Sequence, residues 1–208
     1  KSGTDFFTAY STSPFHVPAG PEIYTVDADA AVFVLARNAG EGADRRAEKG
    51  DYFLSDEEYT LLSDVCDRYE KVILLLNSGG VVDLSFLEKL PQIQAVLAVS
   101  QPGQGGGTAV ADVISGIISP SGKLTDTWAF SYDDYPNAAT FSHNNGNVEK
   151  EKYEEGIYVG YRYFDTFEIP VRYGFGYGMS YASFTMNTAR IKTAENGEVR
   201  VTVKVRNH

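Results

Sequence analysis

The chain has 208 residues, 43% of them hydrophobic and 22% charged, and a formal net charge of −10. That length accommodates one large domain with a piece of another, and the composition is that of a packed globular protein. The acidic balance, with no dense lysine and arginine surface, excludes a nucleic-acid backbone as partner, and no apolar run approaches the roughly 20 residues that span a bilayer.

Residues 1–26 are turn-rich, with Ser-Pro at 13–14, Val-Pro at 17–18 and Gly-Pro at 20–21. They carry neither an initiating Met nor a signal-peptide pattern, so the chain reads as a piece of something longer. The apolar run 30–36 follows, and it predicts a central parallel strand covered on both faces. A polar, glycine-rich stretch covers 37–50. Ser55, with Glu58 three residues on, makes a capping box and opens a helix. Tyr59, Leu62, Cys66 and Tyr69 fall at helical spacing and predict its buried stripe. Cys66 is the only cysteine, which excludes an intrachain disulfide and a cysteine metal cluster and leaves it a core residue.

The run 71–76 predicts a second buried strand, Gly79-Gly80 a turn, and residues 84–90 a short helix. Residues 95–99 predict a third buried strand, which ends in the glycine-rich stretch 101–107, and a small-residue helix over about 108–115 comes next. Strand and helix in alternation predict an α/β domain, a layered sandwich with a mostly parallel sheet. From Tyr132 the helical period gives way to a stretch rich in Tyr, Asn and Gly. After Ser180 the segments 184–191 and 199–205 alternate apolar and polar, with Glu195-Asn-Gly197 as the hairpin turn between them. These are the first strands of a β-sandwich, and they set the domain limits at 1–180 and 181–208.

Ligands on such sheets bind beyond the carboxyl ends of the strands, which directs attention to the segments after Ala36, Leu76 and Val99. In the first of these, Glu41 stands between Gly40 and Gly42, a carboxylate on a backbone free to adopt unusual angles; a solvated surface glutamate fits the local sequence as well. The glycines at 103, 105, 106 and 107 lack dinucleotide-binding spacing, and close packing of the following helix explains them equally. His16, His143 and His208 have no metal-ligand spacing, so neither metal nor other cofactor is expected. No serine sits in a nucleophile elbow with a histidine partner.

The motifs Gly40-Glu-Gly-Ala-Asp-Arg45, Val72-Ile-Leu-Leu-Leu-Asn-Ser-Gly79, Gln101-Pro-Gly-Gln-Gly-Gly-Gly107 and Pro120-Ser-Gly-Lys-Leu124 occur in that order. Glu155-Gly-Ile-Tyr-Val-Gly-Tyr-Arg-Tyr-Phe-Asp165 and Tyr173-Gly-Phe-Gly-Tyr-Gly-Met-Ser-Tyr181 follow them. Together they resemble the second, α/β sandwich domain of family 3 glycoside hydrolases, with 181–208 similar to the start of the fibronectin type III domain that follows it in many members. The resemblance implies a retaining β-glucosidase or β-xylosidase-like enzyme. Its substrate is an oligosaccharide or glycoside, its aspartate nucleophile lies on a separate barrel domain, and its acid/base glutamate lies on this one. Glu41 matches that acid/base, with Glu48 as the second candidate, and Asp44 and Arg45 orient the loop or form a surface bridge. Where members of the family usually carry Glu, this chain has Gly105. The barrel and its nucleophile motif are not in this sequence, so the fragment is expected to be inactive alone. A carbohydrate-binding or assembly module and a nucleotide binder are the competing readings.

Overall fold

The computed structural model describes residues 28–37, 44–143 and 146–208. Strand β1 (Ala31–Ala36), helix α1 (Asp56–Arg68), strand β2 (Val72–Asn77) and strand β3 (Ile93–Ala98) form the organising unit. The three strands are parallel and adjacent in the order β1-β2-β3, with Ala31 opposite Val72 and Ala36 opposite Asn77. Parallel neighbours require a crossover, and α1 supplies the one between β1 and β2.

Helix α1 starts where the sequence predicts. The Ser55 hydroxyl accepts the Glu58 N–H at 3.1 Å, and the Glu58 carboxylate accepts the Ser55 N–H at 2.8 Å. Asp56, Glu57 and Glu58 in its first turn and Arg68 in its last suit the helix dipole. Its buried face is Glu58, Leu62, Val65 and Cys66. Tyr59, expected in that stripe, is 37% exposed; the inward position belongs to Glu58, which has a buried cation to meet. Leu62 packs with Leu35, Val72, Leu74, Leu76 and Trp128 in one core, where each fully buried aliphatic side chain contributes about 1.5–3 kcal/mol.

Two strand expectations are corrected. The central strand is β2, not β1, and β1 exposes Val32 and Val34 on one face. Among the described residues, strand β3 is an edge strand whose Ala95 and Val96 are exposed, not a buried one. Continuous apolar runs signal burial on both faces, but sheet position among the described residues leaves β1 covered on one face and leaves residues on both faces of β3 exposed. The stretch 84–90 narrows to a single 3₁₀ turn at Ser85–Glu88, and helix α2 spans Gly106–Ile114.

Beyond α2 the chain is mostly irregular. Strand β4 (Trp128–Ala129) pairs antiparallel with β5 (Val171–Tyr173), and the short helix α3 (Tyr161–Thr166) buries Phe164. Four short strands close the sequence: β6 (Phe184–Met186), β7 (Arg190–Thr193), β8 (Val199–Thr202) and β9 (Val205–Asn207). The predicted hairpin is β7–β8, turning at Gly197 with φ 83°, while β6 pairs with β9. These pairs leave their residues exposed and enclose no core, as expected of isolated two-stranded ribbons. The architecture is the α/β sandwich with antiparallel strands after it.

Candidate active site

Backbone pairing of β1 with β2 continues one residue past the strand, where the Arg37 N–H donates to the Asn77 carbonyl at 2.9 Å. Arg37 then turns its side chain inward and is 6% exposed. All five of its guanidinium N–H groups find acceptors. Nη1 and Nη2 grip the two Glu58 oxygens at 2.6 and 2.8 Å, Nε reaches the Asp51 carbonyl at 2.6 Å, and the remaining two meet the Ala36 and Phe53 carbonyls. A buried arginine requires this saturation, because each unpaired donor would keep the cost of its lost hydration.

Arg45 reaches the same place. Arg45 Nε bonds the Asp51 carboxylate, Nη2 donates to the Asp51 carbonyl at 2.8 Å, and Nη1 donates to the Ser78 hydroxyl at 3.1 Å. The Arg46 N–H takes the other Asp51 carboxylate oxygen at 2.7 Å. Residues 48–53 form a tight turn in which the Glu48 carbonyl accepts the Asp51 and Phe53 N–H groups at 3.2 and 3.1 Å. Gly50, at φ 84°, occupies a left-handed position that a side chain would strain. The Tyr52 carbonyl accepts the Asp83 N–H at 2.8 Å, tying this turn to the segment after β2. The carboxyl ends of β1 and β2 thus share one hydrogen-bonded platform.

Of the residues singled out from sequence, Glu41 lies outside the described residues. Glu48 projects from the platform with its side chain exposed. Arg45 takes Asp51 as its carboxylate partner, and Asp44 is exposed beside it. Sequence reasoning missed Arg37, Asp51, Glu58 and Ser78 as a group. Its one usable signal is topological: a βα unit brings the end of its strand and the start of its helix to the same edge of the sheet, so Arg37 and Glu58 are neighbours there.

A cavity of about 260 Å³ adjoins the platform, lined by Arg45, Arg46, Tyr52, Tyr132, Tyr135 and Phe141 among others. Tyr135 accepts the Ala129 N–H and donates to the Thr127 carbonyl, each at 3.2 Å. Burial first, then Tyr135, Asp83 and Tyr132 nearby, push the Tyr52 phenol well above the ordinary tyrosine range. Burial likewise raises Tyr135, against the lowering effect of the Ala129 N–H. Both rings are therefore neutral hydrogen-bonding groups at physiological pH. Among the described residues no cluster of His, Cys, Asp and Glu has the makings of a metal site, and no helix is long and apolar enough to cross a membrane.

Comparison with known proteins gives a consistent result. The family model described as "Glycosyl hydrolase family 3 C-terminal domain" matches residues 21–161. A protein named beta-glucosidase from Ruminococcus albus is 41% identical over 86% of this chain, which covers 18% of that relative. Beta-glucosidase A from Butyrivibrio fibrisolvens is 37% identical over 81% of the chain, which covers 24% of it. The structure of beta-glucosidase 3B from Thermotoga neapolitana in complex with glucose superposes with a TM-score of 0.79 at 36% identity, over 98% of this chain and 31% of that one. The chain spans less than a third of the length of each.

Proposed function

This chain belongs to glycosyl hydrolase family 3, matching its C-terminal domain, and we propose that it is the portion of a retaining β-glycosidase that supplies the acid/base carboxylate. The substrate is a glycoside or oligosaccharide ending in a β-linked glucosyl or related residue, and the partner is a barrel domain carrying an aspartate nucleophile. In the first step an aspartate oxygen bonds to the anomeric carbon, the glycosidic C–O bond breaks, and the leaving oxygen takes the proton of this chain's carboxylic acid. In the second, a water oxygen bonds to the anomeric carbon, the aspartyl ester bond breaks, and the water's proton returns to the carboxylate. The two carboxyl groups then stand about 5 Å apart, so this chain must reach the barrel's substrate face, and alone it is inactive.

The observation that carries this reading is the platform at the carboxyl ends of β1 and β2. It fixes Arg37 and Arg45, the residues on either side of 38–44. Glu41 is the proposed acid/base and Glu48, on the platform itself, the second candidate. Asp44 and Arg45 belong to the loop-orienting set.

The test uses the full-length protein containing this chain and an aryl β-glucoside with a good leaving group. Glu41→Ala should make deglycosylation limiting, and azide should restore turnover while giving a β-glycosyl azide. If Glu48→Ala behaves this way and Glu41→Ala does not, Glu48 is the acid/base. If neither substitution matters, the catalytic role of the region falls.

The tyrosine-lined cavity favours one second reading, a module that only binds carbohydrate, because tyrosines offer a sugar both apolar faces and hydroxyls. Saturable sugar binding by this chain alone, lost in Tyr132→Ala, would support it; a catalytic half-site binds weakly until the barrel completes it.

A further inference from the structure

Acid catalysis depends on placement, and a displacement of about 1 Å can lower a rate on the order of 100-fold. The platform bears on placement for both candidate carboxylates. Glu48 is within its turn, and Glu41 lies between two residues that it fixes. Arg37 and Arg45 enter from opposite sides and share one acceptor, the Asp51 carbonyl, at 2.6 and 2.8 Å. Each also has a carboxylate of its own, Glu58 for Arg37 and Asp51 for Arg45. A planar guanidinium fixes direction as well as distance. Arg37 forks onto Glu58 and Arg45 spans the Asp51 carboxylate, the Asp51 carbonyl and the Ser78 hydroxyl, so the two converging on one peptide unit fix it against β1, α1 and the segment after β2.

We propose that Arg37 and Arg45, through their shared hold on Asp51, are positioning residues for the acid/base carboxylate. The proposal rests on the reading of this region as the source of that carboxylate, whichever glutamate provides it. Neither arginine needs to touch substrate. Their role is to keep the carboxylic proton in line with the leaving oxygen.

The distinguishing readout is leaving-group dependence. In kcat/KM, which reports bond breaking in the first step, a misplaced acid matters little for an acidic phenol and greatly for a basic one. Loss of folded protein lowers every substrate by one factor. The experiment measures kcat/KM of the full-length protein on aryl β-glucosides with phenols of graded acidity, for wild type, Arg45→Ala and Arg45→Lys. Arg45 is partly exposed, and the lysine keeps its charge while losing the fork.

The expected result is a loss that grows toward the poorest leaving groups, reaching roughly 100-fold there, with Arg45→Lys between wild type and Arg45→Ala. A uniform loss across the series, or none, overturns the proposal. Glu41→Ala and Glu48→Ala, run in the same series, keep the two claims separate. If one of them shows the steepened dependence and the arginine variants do not, only the positioning role fails. If neither glutamate variant steepens, the underlying reading fails with it.

Discussion

Glu58 grips Arg37 with both carboxylate oxygens, at 2.6 and 2.8 Å, and one of those oxygens also accepts the Ser55 N–H at 2.8 Å. One buried carboxylate therefore starts a helix and neutralises the cation at the end of the preceding strand. The two contributions separate by mutation. Glutamine suits the capping position but carries no charge, so Glu58→Gln leaves Arg37 as an uncompensated buried cation. Breaking such a pair costs about 3–5 kcal/mol, whereas Ser55→Ala removes only the cap and costs about 1 kcal/mol. Urea unfolding of the two variants should rank them in that order. A Glu58→Gln cost no larger than that of Ser55→Ala would mean that the ion pair contributes nothing beyond its desolvation.

Tyr52 and Tyr135 predict an alkaline limit. Their folded-state pKa values lie above the ordinary one, chiefly through burial. Below about pH 10 both phenols are neutral whether the chain is folded or unfolded, and their contribution is fully present. Above it the unfolded chain ionises while the folded one resists, so stability falls as pH rises. Unfolding midpoints measured between about pH 9 and 11 should decline, and less steeply in Tyr52→Phe. Phenolate absorbance from Tyr52 at ordinary tyrosine pH, in protein that is still folded, would contradict this.

Cys66 offers a probe of the packed unit formed by β1, α1 and β2. Its side chain is 3% exposed in the core, and burial, then the Asp67 charge, pushes the thiol pKa up. The thiolate is the reactive form, so labelling with an aromatic disulfide at neutral pH should be slow and should track the unfolded fraction as urea is added. Fast labelling in the absence of denaturant would show that α1 opens away from the sheet without global unfolding.

How much of this was legible in the sequence depended on whether the cause was local. The start of α1 was legible because Ser55 and Glu58 satisfy each other within one turn. The β7–β8 hairpin was legible because Asn196-Gly197 dictates its own backbone, with Gly197 at φ 83°. Sheet position was not, since the apolar runs at 30–36 and 95–99 read alike as buried and only pairing order makes β2 the central strand. Tyr59 was expected on the buried side of α1, where Glu58 stands instead, for a related reason. Periodicity favours an aromatic ring over a carboxylate at a buried position, and only Arg37, 21 residues away, reverses that choice. The arginine platform was hidden for the same cause, because an arginine just after a strand looks like any loop residue until its acceptors are assembled. The family motifs pointed to Glu41, which lies outside the described residues, and the platform describes the chain on either side of it.

The double duty of Glu58 also has a consequence for timing. During synthesis Arg37 leaves the ribosome before the carboxylate that will neutralise it, and with no buried acceptor yet formed it keeps its hydration. Closing a loop of this length costs entropy that only docked structure can offset. The cation is thus buried only when α1 has formed, been capped and settled on the sheet. Its bond to the Asp51 carbonyl belongs to the same cluster, so a nascent chain stopped short of α1 lacks the carboxylate on which this buried platform depends.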